Sequence, residues 1–345
     1  MKIAIILPSL ANKGPILVAY DLCVEYIRMG HQCKVFYFDD IVQVEFPCET
    51  MRIDFRKKVD LSGFDVVHSH MLRPDAYLVL HGYFRSKLPI VSTVHQHIGR
   101  QFRFSDSGKS LLALLKWVWI LLLRKFDKVI ILNGAQEPFY SRFGLKTTVI
   151  HNGRSVDVES DIDDSDRLEL EEFASRYTVL GSIAYVTKRK GLDQIIRALV
   201  GRPDWGFLLV GEGPETERLR ALAVSLQVDD RILFLGSRPD GYRYLKYIDV
   251  FVLPSHAEGF PLSLIESFAY GVPAVCSNIE DVSSVLCHDE VAYFELEDID
   301  GLRVAVEYVL QDYDDGCKAV KRLYSEMFSP AVMASRYLEV YREFK

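Results

Sequence analysis

Apolar runs of strand length alternate with amphipathic stretches of helix length along most of this 345-residue chain. Strands that are apolar throughout are buried on both faces, as in parallel sheets that helices cover on either side. We therefore predict an α/β chain with two doubly wound, Rossmann-like parallel sheets. The predicted strands are Lys2–Leu7, Cys33–Phe38, Asp65–His68, Ile90–Val94, Lys128–Leu132, Thr147–His151, Thr178–Ser182, Gly206–Val210, Arg231–Leu235, Asp249–Leu253, Pro273–Cys276 and Val291–Phe294.

An acidic segment, residues 154–175, separates the two halves of this pattern. Its Asp and Glu side chains interrupt the apolar runs, so we predict a linker there. The two domains would then cover residues 1–153 and 176–327. Open parallel sheets bind ligands beyond the carboxyl ends of their strands. Two such domains facing each other would hold a ligand in the cleft between them.

Composition limits the class of protein. Apolar residues make up 49% of the chain and charged residues 26%, which excludes disordered and collagen-like chains. The longest apolar run, Leu111 to Leu123, spans about 20 Å as a helix, short of the roughly 30 Å of a bilayer core.

No cleavage site follows the first apolar run, and the six cysteines form no CxxC pair. We expect a cytoplasmic protein with reduced cysteines and no metal site.

Charge is divided unevenly along the chain. Residues 1–152 carry 20 Lys and Arg against 13 Asp and Glu, whereas residues 153–345 carry 21 against 35. The basic excess is concentrated in residues 85–128, which include the apolar stretch 110–126. Tryptophans beside Lys and Arg in that stretch are typical of a helix at an anionic membrane surface. A helix buried in the outer layer of the first sheet has the same pattern, so both interpretations stay open.

The sharpest signal follows the predicted strand Asp249–Leu253. Glu258 and Gly259 lie in the strand-to-helix loop, and Pro261 suits the first turn of a helix that carries Glu266. Free amides at a helix start bind anions, and the flanking carboxylates can accept hydrogen bonds from a polyol. A carboxylate in this place also stabilises its own helix. Two Glu residues around a Gly-Phe-Pro turn favour the functional interpretation.

Basic side chains mark a second loop, after the predicted strand Thr178–Ser182. Lys188, Arg189 and Lys190 precede Gly191 at a helix start. Cations there oppose the helix dipole unless an anion is shared, so this arrangement predicts a phosphate-sized ligand. A solvated basic turn is the alternative.

Glycines follow a third strand, and a polar loop follows a fourth. Gly211 and Gly213 permit a ligand to approach the backbone, although turns need glycine as well. After the next strand, Gly236, Ser237 and Arg238 offer polar groups to a base. Loops at four strand ends therefore suit a nucleoside diphosphate.

These segments resemble the nucleotide-sugar domain of family 4 glycosyltransferases. The resemblance rests on the spacing Glu258-x7-Glu266, the KRKG turn, the VGEGP loop and the FLGSRPD loop. In the first half, HSH at 68–70, STVHQH at 92–97 and IHNG at 150–153 are similar as well. Residues 328–345 resemble the helix that returns to the first domain in this family. The resemblance implies a GT-B fold, with an acceptor-binding first domain and a nucleotide-sugar-binding second domain.

The resemblance also implies a role for individual residues. Arg189 and Lys190 would neutralise the diphosphate, and Glu258 would bind hydroxyls of the donor sugar. Glu266 would bind the ribose. His95 of the first domain would face the transferred sugar.

Further donor contacts are implied in the same way. Arg238 and Pro239 would lie against the base, and Asn152 would have a structural role at the hinge. The amides after Glu258 would lie near the sugar and the phosphate. The remaining implied donor-binding residues are Gly211, Gly213, Gly259, Phe260, Pro261 and Leu262.

The sequence departs from the family pattern in two places. Many members have an arginine where this chain has Tyr185, while others use an adjacent Arg-Lys pair like the one at 189–190. Many members have a double glycine in the first loop, where this chain has Lys13, Gly14 and Pro15. Pro15 removes an amide, so we expect Gly14 and the charge of Lys13 to act on the donor phosphate.

The resemblance implies a retaining transferase that moves a hexose or N-acetylhexosamine from a nucleoside diphosphate sugar, preferably UDP-linked. The acceptor would be a saccharide or a lipid-linked saccharide of cell-surface polysaccharide or lipopolysaccharide synthesis, with no cofactor, metal or nucleic acid required. A sugar-nucleotide epimerase of the same fold and a noncatalytic nucleotide-sugar-binding protein are alternatives. A dinucleotide-dependent oxidoreductase would need GxGxxG after the first strand, where PSLANKGP stands instead.

Overall fold

The computed structural model describes residues 1–98, 109–162 and 164–344. It divides into two compact units, the first made of Met1–Arg154 with Met327–Lys345 and the second of Ser155–Glu326. Part of the predicted basic region, residues 99–108, lies outside the described residues, as does Asp163 of the predicted linker.

The first unit is built on a parallel sheet of seven strands in the order β3-β2-β1-β4-β5-β6-β7. The chain moves from β1 outward to β3 and then returns to the other side of β1, so the strand order reverses between β1 and β4. These strands are β1 (Lys2–Leu7), β2 (Gln32–Tyr37), β3 (Glu49–Arg52), β4 (Val66–His70), β5 (Ile90–Val94), β6 (Lys128–Ile131) and β7 (Thr147–Val149).

The second unit is built on a parallel sheet of six strands in the order β10-β9-β8-β11-β12-β13. Its strand order reverses between β8 and β11 in the same way. These strands are β8 (Thr178–Ile183), β9 (Trp205–Val210), β10 (Ile232–Gly236), β11 (Val250–Leu253), β12 (Ala274–Ser277) and β13 (Ala292–Phe294).

Helices connect the strands and cover both sheets, because parallel neighbours need crossover connections. Within the described residues, the α-helices are α1 (Gly14–Arg28), α2 (Leu72–Leu80), α3 (Lys109–Leu123), α4 (Glu137–Ser141), α5 (Asp164–Arg176), α6 (Asp193–Ala198), α7 (Thr216–Ser225), α8 (Leu262–Tyr270), α9 (Glu280–Ser283), α10 (Ile299–Gln311), α11 (Tyr313–Leu323) and α12 (Pro330–Arg342).

The two doubly wound sheets confirm the predicted fold class. The predicted strands are present because their side chains are apolar and buried, as in β9, where all six residues are buried. Strand β3 is absent from the prediction. Its four residues are all exposed at the sheet edge, so the segment carries no apolar run to mark it.

The segment expected to be a linker contains a helix of the second unit. Helix α5 occupies most of residues 154–175, and its Leu170 and Phe173 are buried. Asp164 and Asp166 lie in its first turn, where carboxylates interact favourably with the helix dipole. The acidic composition therefore belongs to an amphipathic helix.

The C-terminal helix α12 packs against α1 within the first unit. The Ser329 hydroxyl caps its start by accepting from the Val332 amide, and Tyr337 and Tyr341 on its inner face are buried. The Arg154 side chain adds a buried ion pair to Asp21 of α1, at 3.0 Å. These contacts fix the last residues of the chain to the first sheet.

Helix α3 has one buried and one exposed face, and both are apolar. Trp119 and Ile120 are buried, and the Trp119 indole donates to the Asp75 carboxylate at 2.7 Å. Leu114, Trp117 and Leu121 are between 49% and 59% exposed. None of the helices in the described ranges combines the length and the apolarity that crossing a bilayer requires.

Candidate functional site

The strand order of the second sheet indicates where a ligand binds. In doubly wound sheets the crevice lies beyond the carboxyl ends of the two strands between which the order reverses, here β8 and β11. The loop after β8 carries the Lys188–Lys190 turn, and the loop after β11 carries Glu258. The topology thus brings these two sequence signals to one edge of the sheet.

Glu258 binds both cations of the KRKG turn. Its Oε1 lies 2.6 Å from Lys190 Nζ, and its Oε2 lies 3.0 Å from Arg189 Nη1. The Glu258 side chain is 6% exposed, the Lys190 side chain 13% and the Arg189 side chain 30%. These three residues form a compact cluster with one net positive charge, which we call the Glu258 cluster.

The charge state of the Glu258 cluster follows from these contacts. Burial would raise the pKa of Glu258, but Lys190 and Arg189 outweigh it and lower this pKa to about 2. The Ser255 hydroxyl also donates to Oε1 at 2.7 Å. Glu258 is therefore ionised at neutral pH, and it holds the two cations at the edge of the sheet.

Backbone contacts fix the two loops to each other. The amide of His256 donates to the carbonyl of Arg189 at 2.8 Å, and the Arg189 guanidinium donates to the carbonyl of Ala257. The buried Gln194 amide group donates to the carbonyl oxygens of Pro254 and Gly191, at 3.0 and 3.2 Å. The cations are thus positioned by a rigid frame, as an anion site requires.

The start of helix α8 lies in the same loop as the Glu258 cluster. Pro261 precedes the first helical residue, Leu262, in extended conformation, and no acidic side chain lies in the first turn. Gly259, Phe260 and Pro261 are buried, and Leu262 is partly buried. The first-turn amides of a helix have no acceptor within the helix itself, so the start of α8 suits an anion.

Glu266 lies on the second turn of α8 and is 8% exposed. The first turn of α8 contains no acidic side chain, so Glu266 is not the first-turn carboxylate that the alternative interpretation requires. Its proposed contact with a ribose stays a prediction.

Gly211 and Gly213 are required by the protein's own backbone. Gly211 has a φ of +134°, and a Cβ there would lie 1.9 Å from the Ala184 carbonyl oxygen. A Cβ at Gly213 would lie 2.2 Å from the Val186 carbonyl oxygen. The loops after β8 and β9 therefore approach each other so closely that only glycine fits, whether or not a ligand also contacts them.

The side chain of Arg238 is occupied within the second unit. It donates to both carboxylate oxygens of Asp166, at 2.6 and 3.0 Å, and the Tyr244 hydroxyl donates to the same carboxylate. The bond from Arg238 lowers the pKa of Asp166. Pro239, next to it, is exposed. Asp166 on α5 thus anchors the loop that was predicted to contact a base.

In the first unit, helix α1 begins directly after the loop that follows β1. Lys13 is exposed in extended conformation at the helix start, and Gly14 and Pro15 form the first turn without an acidic side chain. This start lies at the carboxyl end of β1, beside the reversal point of the seven-stranded sheet. The position suits an anion, as the sequence predicts for Lys13 and Gly14.

His95 follows β5 at the same edge of the first sheet. It is 8% exposed, and its Nε2 is hydrogen-bonded to Nδ1 of His70 at 2.8 Å. Burial lowers the pKa of His95 to about 3, so the imidazole is neutral. The described residues contain no group of three His, Cys, Asp or Glu side chains that could hold a metal ion.

Several residues of these sites escaped the sequence analysis. Ser255 and Gln194 hold the loops of the second unit, and Asp166 fixes Arg238. Ser255 lies three residues before Glu258 and two residues after the end of the buried strand β11, which is a signal that could have identified it. Asp166 is distant in sequence from Arg238, and it lies among several other Asp and Glu residues, so nothing in the sequence singled it out.

Two family models match the chain. The model described as Glycosyltransferase Family 4 matches residues 14–158, and the model described as Glycosyl transferases group 1 matches residues 168–325. Each model thus falls on one of the two units.

Individual proteins are similar over most or nearly all of the chain. The O-antigen biosynthesis glycosyltransferase WclY of Escherichia coli is 28% identical over 99% of this chain and 98% of its own. The UDP-Gal:alpha-D-GlcNAc-diphosphoundecaprenol alpha-1,3-galactosyltransferase of Escherichia coli is 27% identical over 82% of this chain and 80% of its own. The structure of Anabaena Alr3699/HepE in complex with UDP and glucose has a TM-score of 0.79 at 20% identity, covering 99% of this chain and 100% of that one. This likeness confirms the GT-B fold class.

We predict that Glu258→Gln destabilises the protein in a pH-dependent way. The pKa of Glu258 is about 2 in the folded protein and about 4.3 in the unfolded chain, so its stabilising effect is complete above pH 5 and is lost as the pH falls towards 2. At pH 7 the variant should lose about 3 kcal/mol of unfolding free energy in urea titrations. At pH 3 the difference from the unsubstituted protein should shrink by about 1–2 kcal/mol.

The control is Glu217→Gln, since the side chain of Glu217 is 89% exposed and has only a weak pair to Arg220 at 3.7 Å. It should change the unfolding free energy by less than about 0.5 kcal/mol at either pH. Equal effects of the two substitutions would contradict the buried cluster.

Gly211→Ala should destabilise the ligand-free protein by about 2–4 kcal/mol, because the new Cβ meets the Ala184 carbonyl and the backbone is strained. Thermal or urea unfolding without nucleotide measures this loss. The matched control is Gly316→Ala in helix α11, where the nearest atom to the new Cβ is at 3.7 Å. It should stabilise the protein by about 0.5–1 kcal/mol. A ligand-free Gly211→Ala protein of unchanged stability would contradict the backbone requirement.

Proposed function

We propose that this chain is a sugar-transferring enzyme, because family models of glycosyltransferases match both of its halves. It would transfer a hexose or N-acetylhexosamine from a nucleoside diphosphate sugar, with UDP the preferred nucleotide. The acceptor would be a saccharide or a lipid-linked saccharide of cell-surface polysaccharide or lipopolysaccharide synthesis.

The Glu258 cluster is the observation that carries this proposal. Two cations and one carboxylate leave one net positive charge, and the start of α8, with no acidic side chain in its first turn, lies in the same loop. A diphosphate has the charge and the oxygen donors to bind both features. Breaking the bond between sugar and diphosphate builds negative charge on the phosphate, and fixed cations stabilise that charge in the transition state.

Glu258 has room for one further role. Oε1 accepts from Lys190 and Ser255, whereas Oε2 accepts from Arg189 among the described residues. A carboxylate offers about four lone-pair sites, so Oε2 can still accept from a hydroxyl of the donor sugar. This supports the sugar-binding role that the family resemblance implies.

The relatives support the donor and the pathway. One relative is named for O-antigen biosynthesis, and another is named for transfer from UDP-Gal to a diphosphoundecaprenol-linked sugar. The structurally similar HepE was crystallised with UDP and glucose. A UDP-sugar donor and a saccharide or lipid-linked acceptor are consistent with all three.

We propose that the transfer retains the anomeric configuration. The acceptor oxygen would attack the anomeric carbon from the face that the diphosphate leaves. The sugar–phosphate bond breaks, the new glycosidic bond forms, and a departing phosphate oxygen takes the acceptor proton. The products are the glycoside and the nucleoside diphosphate. No metal and no cofactor would be needed, since Arg189, Lys190 and the start of α8 would together stabilise the charge that develops on the leaving group.

A thermal-shift panel of nucleotide sugars identifies the donor, and NMR of the product then tests retention. With an α-linked UDP-sugar we expect an α-linked product, and a β-linked product would contradict the mechanism. A new sugar nucleotide formed without acceptor would indicate an epimerase instead.

Lys190→Met should lower kcat about 100-fold, as expected when one group that stabilises transition-state charge is removed. Lys188→Met is the matched control, because Lys188 is the exposed lysine of the same turn. It should keep turnover within about threefold, and equal losses in both variants would contradict the assignment of Lys190 to the diphosphate.

We also propose that the exposed face of α3 contacts an anionic membrane surface from the cytoplasmic side. Leu114, Trp117 and Leu121 are exposed on one face, and Lys116 and Lys125 lie close to aromatic rings of the same region. Apolar side chains bordered by cations are typical of helices that lie in the headgroup layer. Such contact would bring the enzyme to a lipid-linked acceptor.

Flotation with liposomes tests this surface. We expect binding to vesicles with anionic phospholipid and about tenfold less binding for Leu121→Glu, since the substitution places a charge on the apolar face. Leu168→Glu is the control, because Leu168 is also an exposed helical leucine, at 77% against 58% for Leu121, and belongs to the second unit. Binding that does not depend on anionic lipid, or equal loss in both variants, would contradict the proposal.

A further inference from the structure

Three histidines form a buried stack at the carboxyl ends of β4 and β5. The rings of His68 and His70 are 4.3 Å apart, and those of His70 and His95 are 5.1 Å apart with an angle of 23° between their planes. His68 and His70 have no exposed surface, and His95 is 8% exposed. The stack runs from the interior of the first unit to His95, the residue proposed to meet the transferred sugar.

The inner end of the stack is held by hydrogen bonds. His68 Nδ1 accepts from or donates to the Tyr341 hydroxyl at 2.7 Å, and His68 Nε2 bonds the Thr93 hydroxyl at 2.7 Å. The Tyr337 hydroxyl bonds the same Thr93 oxygen at 3.0 Å. Both nitrogens of His68 are therefore satisfied, and helix α12 fixes the ring on which His70 stacks.

The outer end depends on a single hydrogen bond between two imidazoles. His70 Nδ1 and His95 Nε2 are 2.8 Å apart. Among the described residues, the other nitrogen of His70, the fully buried Nε2, has no hydrogen-bond partner. Since burial lowers the pKa of both rings, each carries one proton, and one of the two rings must donate to the other.

The unpartnered Nε2 of His70 decides the direction of that bond. If His95 donated, His70 would carry its own proton on Nε2, as a buried N–H without an acceptor. If His70 donates from Nδ1, its Nε2 is unprotonated and is a buried acceptor without a donor. Unpaired buried N–H groups are rarer in folded proteins than under-satisfied acceptors. The second arrangement is therefore the stable one.

We propose that His70 is a positioning residue that holds His95 in the Nδ1–H tautomer. His70 donates to Nε2 of His95, so the only proton of His95 lies on Nδ1, the nitrogen that His70 leaves available. His95 then presents an N–H donor to an oxygen of the substrate, either a sugar hydroxyl or a phosphate oxygen. It does not act as a general base, since its lone pair is bound to His70.

This inference rests on the proposed function only for the identity of the substrate. The tautomer itself is a property of the ligand-free protein. It agrees with a mechanism in which a phosphate oxygen, not an imidazole, takes the acceptor proton.

Nitrogen-15 NMR of the histidine-labelled full-length protein tests the tautomer directly. The His95 signals are assigned by their absence in His95→Gln. We expect the protonated nitrogen of His95 to be Nδ1 in the unsubstituted protein. A proton on Nε2 would overturn the proposal, whatever the enzyme activity.

Two substitutions at position 70 separate positioning from packing. The amide nitrogen of Asn reproduces the position of Nδ1, so His70→Asn should keep the Nδ1–H signature of His95. The amide of Gln reaches the position of Nε2 instead, so His70→Gln should shift His95 towards the Nε2–H form. An unchanged tautomer in folded His70→Gln would contradict the proposal.

Transfer rates give the functional readout. With the donor chosen by thermal shift, His70→Gln should lower kcat about tenfold, the effect of one hydrogen bond, and His70→Asn should restore it to within about threefold. The thermal shift with UDP should be unchanged in both, because the Glu258 cluster belongs to the other unit. Equal kcat values for His70→Gln and His70→Asn would overturn the positioning role of His70. If UDP does not raise the melting temperature of the unsubstituted protein, the proposed function is overturned instead.

Discussion

The buried contact of Glu258 with Lys190 and Arg189 is the interaction on which the functional interpretation depends. Two neighbouring cations repel each other, and in the Lys188–Lys190 turn a buried carboxylate holds them together. That carboxylate, Glu258, leaves one positive charge uncompensated. The same contact that stabilises the loops after β8 and β11 thus prepares a site for a diphosphate.

The two units use buried polar groups in different ways. The second unit pairs full charges, in the Glu258 cluster and in the Arg238–Asp166 pair, and both pairs join loops that are distant in sequence. The first unit has one buried ion pair, Arg154 with Asp21, but at the ends of β4 and β5 it buries tyrosines and neutral imidazoles, whose pKa values are lowered by burial. Charged groups suit an anionic leaving group, and oriented neutral donors suit sugar hydroxyls, so each arrangement matches the role proposed for its unit.

Much of the fold could be predicted from the sequence, because buried parallel strands must be apolar throughout and therefore stand out. Exposed elements gave no such signal. Strand β3 is polar at the sheet edge, and α5 was taken for a linker because its acidic face conceals Leu170 and Phe173. The candidate site residues were predicted one by one from their places after strands. Their partners were not, since the pairing of Glu258 with Lys190, or of Arg238 with Asp166, depends on loops that only the folded sheet brings together. The glycines at 211 and 213 were found, but the clash with the loop after β8 cannot be read from local sequence.

A crystal structure of the protein with bound UDP tests the central claim most directly. We predict that the diphosphate oxygens lie within hydrogen-bond distance of the Arg189 and Lys190 side chains, with Glu258 still contacting both cations. The uracil and ribose should extend towards Glu266 and the loop after β10. A UDP molecule bound away from the carboxyl ends of β8 and β11, with both side chains engaged by Glu258 alone, would contradict the account.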